Sequence, residues 1–254
     1  MRDYPNAPAR IDHVEPVPRR IRGIKDGVVV VDTLAALYVW EWAFYPQWYL
    51  PAADVRTDLL HPEGGSRETS RGRLVTQILD TGISREPEAA DRVTEARNPL
   101  LADTIRFEWA AMDAWFEEDE EVFVHPRNPY TRVDALRSSR HVRIELEGVL
   151  LADSSAPVLV FETGLPTRYY LDRTAVRWEH LVSTGLETAC PYKGRTTGYW
   201  SARLGDTVHP DLAWCYDFPT RQLLPVAGLV AFLNERVDIT LDGTLLDRPS
   251  THFS

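Results

Sequence analysis

The sequence has few cysteines, methionines and lysines, with two of each, and it has no long apolar run. Two cysteines, Cys190 and Cys215, make no disulfide framework in a chain of 254 residues. The apolar runs are too short to cross a bilayer, and the segment MRDYPNAPAR (1–10) lacks the hydrophobic core of a secretory signal. We therefore expect two thiols, no membrane partner and a cytoplasmic location.

The chain also has an excess of negative charge. Its 28 Lys and Arg residues are outnumbered by 38 Asp and Glu residues, which gives a formal net charge of -10. Binding to a nucleic-acid backbone requires a basic face, so we predict no nucleic-acid partner. The acidic run 117–121 lacks the interleaved turn residues of a calcium loop and is interpreted as a solvated loop or edge.

The chain contains two copies of one module. A shift of 121 residues produces twelve identities across the 39 ungapped positions 22–60 of the first copy. Glu41 then matches Glu162, and Tyr49 matches Tyr170. Later the shift becomes 125, so the middle of the second copy is four residues longer. Repetition of this kind indicates duplicated structural units.

The repeat sets the predicted domain boundaries. We expect an N-terminal tail at 1–20, a first domain at 21–126, a linker at 127–140, a second domain at 141–249 and a C-terminal tail at 250–254. The linker contains two prolines and several turn formers. Equivalent modules usually pack together, so we expect the two copies to pack on each other, and the oligomeric state stays open.

Local patterns predict an all-β fold, mainly antiparallel and with little helix. Asp26-Gly27 and Glu147-Gly148 are typical of two-residue hairpin turns, and Gly205-Asp206 has the glycine that a type II′ turn prefers. Apolar and polar residues alternate over 237–242, as in a half-buried strand. Two segments have patterns that favour a helix: 108–118 and 225–232.

Three motifs carry a resemblance to a known family. They are CPYKG (190–194), AWCY (213–216) and VAFLNERVD (230–238). Together with the repeat, they resemble the DUF427 family, uncharacterised bacterial proteins sometimes labelled as a nucleotidyltransferase domain. The resemblance covers nearly the whole chain after the tail, and it implies small β modules similar to the Mss4-like or β-tent group. In the second copy, the residues at the family's characteristic positions are Glu162, Pro166, Tyr169, Tyr170, Cys190, Pro191, Lys193, Gly194, Tyr199, Trp214 and Tyr216.

The sequence offers no convincing cofactor or metal site. Many β-tent proteins hold zinc with paired C-x-x-C motifs, and this chain has none. Lys193 stands where the second cysteine of such a motif would follow Cys190, and an ammonium is not a zinc ligand. There is also no glycine-rich phosphate loop. We expect neither a metal nor a cofactor.

A candidate site is predicted in the second copy, because the first copy reads GSRETSRGRLVTQ where the second reads CPYKG. Lys193 would supply a compact cation or a titratable amine, Glu162 an acid or base, and Cys190 a thiolate beside the lysine. The structural alternatives are a surface lysine and a buried apolar cysteine. Glu162 and its counterpart Glu41 occur in both copies, which favours a structural role such as pairing with Arg177 and Arg56.

Aromatic residues are concentrated in the same part of the sequence. Most are expected to be core, but a ring-lined pocket with one lysine and one carboxylate would suit a flat anionic molecule. The predicted ligand-binding residues are Arg168, Tyr169, Tyr170, Tyr192, Tyr199, Trp214 and Tyr216.

Three functions remain open. The first is binding of a small, flat, anionic molecule, such as a nucleotide, by the second copy. The second is a nucleotidyltransferase-like enzyme in which Lys193 stabilises developing negative charge and Glu162 acts as acid or base. The third is a scaffold or interaction module without a ligand.

Overall fold

The computed structural model describes residues 9–251. The chain divides into two compact units, with the boundary between Pro129 and Tyr130. We call them the first unit and the second unit, and each is described by itself. None of the helices among the described residues has the length and apolar character needed to cross a membrane.

The first unit consists of two antiparallel sheets. Its strands are β1 (Val14–Pro16), β2 (Ile21–Lys25), β3 (Val28–Thr33), β4 (Leu37–Val39), β5 (Gln47–Pro51), β6 (Leu60–Thr69), β7 (Gly72–Asp80), β8 (Arg85–Ala96), β9 (Thr104–Phe107), β10 (Ala114–Glu117) and β11 (Glu120–Val122). The larger sheet has the order β1-β4-β5-β9-β8-β7-β6, and the smaller has the order β11-β10-β2-β3. Short 3₁₀ helices span Ala52–Asp54, Thr57–Leu59, Pro99–Leu101 and Trp109–Ala111.

The second unit repeats this arrangement. Its strands are β12 (Val133–Arg137), β13 (Val142–Leu146), β14 (Val149–Ser154), β15 (Val158–Glu162), β16 (Arg168–Leu171), β17 (Leu181–Ser183), β18 (Ala189–Cys190), β19 (Gly194–Arg195), β20 (Gly198–Leu204), β21 (Thr207–Cys215), β22 (Val230–Phe232), β23 (Asp238–Leu241) and β24 (Thr244–Leu245). The sheets have the orders β12-β15-β16-β22-β21-β20-β17 and β14-β13-β23-β24, and β18 and β19 form a separate hairpin. The 3₁₀ helices span Arg173–Ala175, Trp178–His180 and Arg221–Val226.

Apart from the β18–β19 hairpin, the two units match strand for strand, and they also match at single residues. The isolated bridge between Val31 and Val55 in the first unit recurs as the bridge between Ala152 and Val176 in the second. Each bridge joins positions that are related by the shift of 121 found in the sequence. The predicted tandem all-β fold, mainly antiparallel and with little helix, is therefore confirmed.

The predicted hairpin turns have positive φ at the expected positions. Asp26 and Gly27 both have positive φ, at 51° and 74°, as do Glu147 and Gly148, at 52° and 79°. This is the pattern of a type I′ turn, whose twist matches that of the flanking strands. Gly205 has a φ of 60°, which the first central position of a type II′ turn requires.

Two strands lie in segments that the sequence assigned to the tail and to the linker. β1 lies within 1–20 and pairs with β4, and β12 lies within 127–140 and pairs with β15. Both are edge strands. An edge strand is held mainly by its one neighbouring strand, so its own sequence shows little hydrophobic pattern.

The helical expectation for 108–118 and 225–232 is wrong. Those segments contain short 3₁₀ turns followed by β10 and β22. Tertiary pairing outweighs the weak local preference there.

Each unit buries two groups of side chains. The larger core of the second unit includes Ile144, Leu171 and Val230. A smaller core includes Tyr170, Trp214 and Leu223. The first unit likewise has a smaller core, around Tyr49. Tyr49 and Tyr170, which the repeat aligns, are both completely buried.

Candidate functional site

Lys193 lies in the tight turn that joins β18 to β19. This hairpin is part of the long connection between β17 and β20. Its turn is held by a hydrogen bond from the backbone N–H of Lys193 to the carbonyl of Cys190, at 3.3 Å. The N–H of Thr220 donates to the carbonyl of Lys193 at 3.0 Å, and the Thr220 hydroxyl donates to the carbonyl of Tyr192 at 2.6 Å. The turn is therefore attached to the loop after β21, and the lysine is not on an exposed tip.

The Lys193 amine is buried against a carboxylate and a thiol. Its Nζ donates to Oε2 of Glu162, which ends β15, and it lies 3.9 Å from Sγ of Cys190. The side chains of Lys193 and Glu162 are 11% and 9% exposed. The alternative of a surface lysine is therefore excluded. The structure joins the three predicted catalytic residues into one cluster.

The electrostatics of this cluster favour a charged lysine. Burial by itself would lower the pKa of Lys193. Electrostatic interactions with Cys190, Glu162 and Tyr170 outweigh the burial and raise the pKa of Lys193 above its ordinary value. At neutral pH the site therefore holds an ammonium group away from bulk water.

Two buried tyrosines, Tyr170 and Tyr216, lie next to the cluster. Burial raises the pKa of Tyr170 to about 12, although Lys193 opposes this shift. Burial also raises the pKa of Tyr216 well above its ordinary value. The indole Nε1 of Trp214 donates to the Tyr170 hydroxyl at 3.2 Å. Both phenols are protonated at neutral pH and are available as hydrogen-bond donors.

The remaining predicted rings close to the cluster are half-buried. Tyr199 stacks on Trp214, with ring centroids 6.1 Å apart and planes 28° apart. Burial raises the pKa of the Tyr199 hydroxyl. Tyr192 directly precedes Lys193 in the turn and is also half-buried.

Tyr169 packs in the larger core of the second unit, and Arg168 is held in an ion pair with Glu235. Successive residues of a strand face opposite sides, so Tyr169 packs in the larger core while Tyr170 packs in the smaller one. Arg168 makes a buried two-bond ion pair with Glu235, with N–O distances of 2.5 and 2.8 Å. This contact fastens β16 to the segment before β23 and indicates a structural role for Arg168.

Both cysteines are thiols outside any disulfide. Cys215 is completely buried in the larger core, where Nη2 of Arg173 lies 3.2 Å from its sulfur, whereas Cys190 is half-buried. Among residues 9–251, no group of three or more His, Cys, Asp or Glu side chains is placed to hold a metal ion.

The first unit has a related cluster, which the sequence reasoning missed. The Tyr49 hydroxyl donates to Oε1 of Glu41 at 2.7 Å, and Nε of Arg71 donates to the same hydroxyl at 3.0 Å. Arg71 lies in the connection between β6 and β7, which corresponds to the connection that carries Lys193. In both units this connection therefore brings a basic side chain to the aligned Glu–Tyr pair.

A second guanidinium completes the cluster of the first unit. Nε of Arg106, on β9, lies 3.6 Å from Oε1 of Glu41. The sequence contained a signal for Arg71, since Arg71-Gly72 and Lys193-Gly194 both pair a basic residue with glycine. Both glycines have positive φ, at 136° and 101°. Arg106 had no such signal, because its counterpart at the shift of 125 is Ala231.

The predicted pairing of Glu162 with Arg177 and of Glu41 with Arg56 is wrong. Arg56 instead makes two hydrogen bonds to Asp58, at 2.8 and 2.7 Å. The backbone N–H groups of Arg56 and Arg177 continue the sheet contacts next to the isolated bridges. Arg56 and Arg177 thus make equivalent backbone contacts in the two units. The cations that pair with Glu41 and Glu162 come from the connections between strands, namely Arg71 and Lys193.

Comparisons with known proteins agree with the duplication. The model of a family described as a domain of unknown function (DUF427) matches residues 13–118 and again residues 134–243. A comparison with curated proteins found no match. The two matches together cover most of the chain, one in each unit. The chain therefore belongs to the DUF427 family and carries two copies of its domain.

Proposed function

We propose that the second unit binds a small, flat molecule whose anionic group is received by the Lys193 amine. One observation supports the proposal most strongly: an ammonium group is buried beside a carboxylate and a thiol. Burying an ion pair costs free energy, and apolar residues of similar size are often as stable. Titratable groups collected at one place, with raised pKa values, are more typical of a functional site than of a scaffold.

The residues around the cluster support the expected chemistry of the ligand. Tyr199 and Tyr192 are half-buried rings that a planar molecule could contact. Protonated Tyr170 and Tyr216 offer hydroxyl donors next to the ammonium. The ammonium accepts any oxyanion as a point charge, so phosphates and carboxylates are both suitable. A mononucleotide combines the ring and the anion.

Calorimetric titration of the full chain with mononucleotides and aromatic carboxylates tests this proposal. Binding should be measurable in the wild type and at least tenfold weaker in Lys193→Met. Arg140→Met is the matched control, because Arg140 forms an exposed ion pair with Asp242 in the same unit. The proposal is wrong if no probe binds, or if Lys193→Met binds as well as the control. Either result would favour the scaffold alternative.

A transferase acting on a nucleotide-like substrate is the second candidate function. Direct contact between Lys193 and Glu162 favours it, because the pair couples a cation to a proton acceptor. Lys193 would stabilise negative charge as it develops, and Glu162 would transfer the proton. Turnover of nucleoside triphosphates with Mg²⁺, abolished in Glu162→Gln, would support this function. Absence of turnover with retained binding would leave the binding function alone.

A further inference from the structure

We propose that Thr220 is a positioning residue, which holds the Lys193 amine at Glu162 and thereby controls ligand binding by the second unit. Thr220 lies in the segment 216–229 between β21 and β22, which we call the 216–229 connection. The effect on ligand binding rests on the proposed function, whereas the effect on the amine can be measured without a ligand.

Thr220 makes two hydrogen bonds to the turn that carries Lys193. Its backbone N–H donates to the carbonyl of Lys193 at 3.0 Å, and its hydroxyl donates to the carbonyl of Tyr192 at 2.6 Å. The Cα of Lys193 lies between these two planar peptide groups. The two bonds therefore fix the point from which the lysine side chain starts.

The Thr220 hydroxyl is not used in the way that its position in a helix favours. Thr220 is the N-cap residue of the 3₁₀ helix Arg221–Val226, and an N-cap threonine normally accepts a hydrogen bond from a helix N–H. Here the side chain makes no capping bond and donates to Tyr192 instead. The hydroxyl thus serves the contact with the turn and not the helix.

The 216–229 connection is anchored well enough to hold the turn. Leu223 and Val226 of its 3₁₀ helix are completely buried in the smaller core, which also contains Tyr170. Near the other end of the connection, Nε of Arg173 donates to the carbonyl of Gly228 at 2.9 Å. A close-packed interior has low compressibility, so a segment rooted in it keeps a fixed geometry.

The first unit has the same backbone contact at its own basic residue. The connection between β8 and β9 begins with Arg97, whose N–H donates to the carbonyl of Arg71 at 2.9 Å. Arg71 approaches the repeated glutamate in the first unit, as Lys193 does in the second. The contact recurs although the 216–229 connection is the longer of the two, which indicates that this contact holds the basic residue in both units.

Lys193 depends more on its backbone than Arg71 does. The Arg71 guanidinium is held by hydrogen bonds to the Tyr49 hydroxyl at 3.0 Å and to Asp12 at 2.9 Å. A lysine amine is a point charge on a flexible stem, and among the described residues the oxygen that this amine contacts belongs to Glu162. The place from which the stem starts therefore decides whether the amine reaches its carboxylate.

The experiment uses the full chain with ¹⁵N-labelled lysine. The chain has two lysines, Lys25 and Lys193, so two side-chain ammonium signals are expected, and Lys193→Met assigns them. Both side chains are about nine-tenths buried in ion pairs, which slows exchange of their protons with water. Thr220→Val should speed exchange of the Lys193 ammonium protons at least tenfold and leave Lys25 unchanged.

Two control variants show whether the hydroxyl is responsible. Thr220→Ser keeps the hydroxyl and should restore the exchange rate of the wild type. Thr240 is a half-buried threonine of β23 in the smaller sheet of the same unit, so Thr240→Val makes the same substitution away from the turn and should have no effect. Thr220→Ala also removes the hydroxyl and takes the place of Thr220→Val if that variant fails to fold.

Calorimetric titration with mononucleotides and aromatic carboxylates measures the consequence for binding. Thr220→Val should bind at least tenfold more weakly than the wild type, and both control variants should bind as the wild type.

The proposal is overturned if the Lys193 protons of Thr220→Val exchange as in the wild type, or if Thr220→Ser exchanges as fast as Thr220→Val. It is also overturned if a probe that binds the wild type binds Thr220→Val equally well. If no probe binds the wild type, the proposed function fails, and the exchange of the Lys193 protons still decides whether Thr220 positions the amine.

Discussion

Lys193 and Glu162 are the residues whose burial most needs a physical explanation. Each is charged, and each side chain is about nine-tenths removed from water. Taken singly, either charge would be very unfavourable in that environment, and together they neutralise one another. Each charge is therefore tolerated in the interior only while its partner is present.

This dependence predicts a large effect from removing one partner. Lys193→Met leaves the Glu162 carboxylate buried without its cation and should lower the free energy of unfolding of the second unit by about 3 kcal/mol. The double variant Glu162→Gln with Lys193→Met removes both charges and should lose less than the sum of the single variants. Amide hydrogen exchange in β15 and β16 measures these changes within the second unit.

The exposed pair Arg140–Asp242 supplies the control for that cycle. Its side chains are 49% and 48% exposed, and solvent screens their attraction. Arg140→Met should therefore leave hydrogen exchange in β15 and β16 nearly unchanged. Additive losses from Glu162→Gln and Lys193→Met would contradict the coupling.

At the scale of the element, the connections between the aligned strands determine what each unit presents. In the first unit a short turn links β6 to β7 and contributes Arg71. In the second unit the connection from β17 to β20 is interrupted by the β18–β19 hairpin and contributes Lys193 and Cys190. The two units thus share the same sheet but differ in the residues of this connection. Such differences are usual when function resides in loops on a rigid scaffold.

Gly194 determines the course of the second connection. Its φ of 101° lies in the region that only glycine adopts readily, and it follows Lys193 directly. Gly194→Ala should destabilise the second unit by about 1 to 3 kcal/mol and displace the Lys193 amine. Thermal unfolding and the binding titration of the second unit measure the two effects.

Gly185 is the matched control in the same connection. An added Cβ there meets nothing within 4 Å, and its backbone is not in the left-handed region. Gly185→Ala should therefore leave both stability and binding unchanged. Equal effects from the two substitutions would show that the hairpin does not depend on the conformation of Gly194.

At the scale of the whole molecule, each unit has its own hydrophobic cores. The buried clusters of one unit contain no residue of the other. Each unit also has a typical domain size and completes both of its sheets from its own strands. The physical requirements for independent folding are met within each unit.

We therefore predict that residues 9–129 and residues 130–251 fold as separate proteins. Each fragment should unfold cooperatively, and its amide NMR spectrum should superimpose on the corresponding signals of the full chain, apart from residues near the cut. A fragment whose amide signals show the narrow chemical-shift dispersion of an unfolded chain would contradict this prediction.

Much of the fold was predictable because its determinants are local. The turns at Asp26-Gly27 and Glu147-Gly148 follow from the readiness of glycine, and of Asp26, to adopt positive φ. The alternation over 237–242 follows from the two-residue period of a strand. The edge strands β1 and β12 were not predictable from such patterns. They become strands because β4 and β15 each offer an unpaired edge.

The candidate site was only partly predictable. Residue types and the asymmetry between copies indicated Lys193, Glu162 and Cys190, and the structure brings these three together. The same reasoning placed Tyr169 with them, whereas strand alternation turns Tyr169 into the larger core. Arg168, on the same side of β16 as Tyr170, is held in an ion pair by Glu235. The sequence reasoning also overlooked Arg106, which has no counterpart in the second unit.

The sequence by itself determined that this protein is a duplicated β module, because repetition, turn residues and strand periodicity are all recorded along the chain. Only the tertiary structure decided which cation meets each repeated glutamate. Lys193 reaches Glu162 across 31 positions, and Arg106 approaches Glu41 across 65. Such contacts depend on which strands become neighbours and on the path of each connection, and no local pattern in a sequence specifies either.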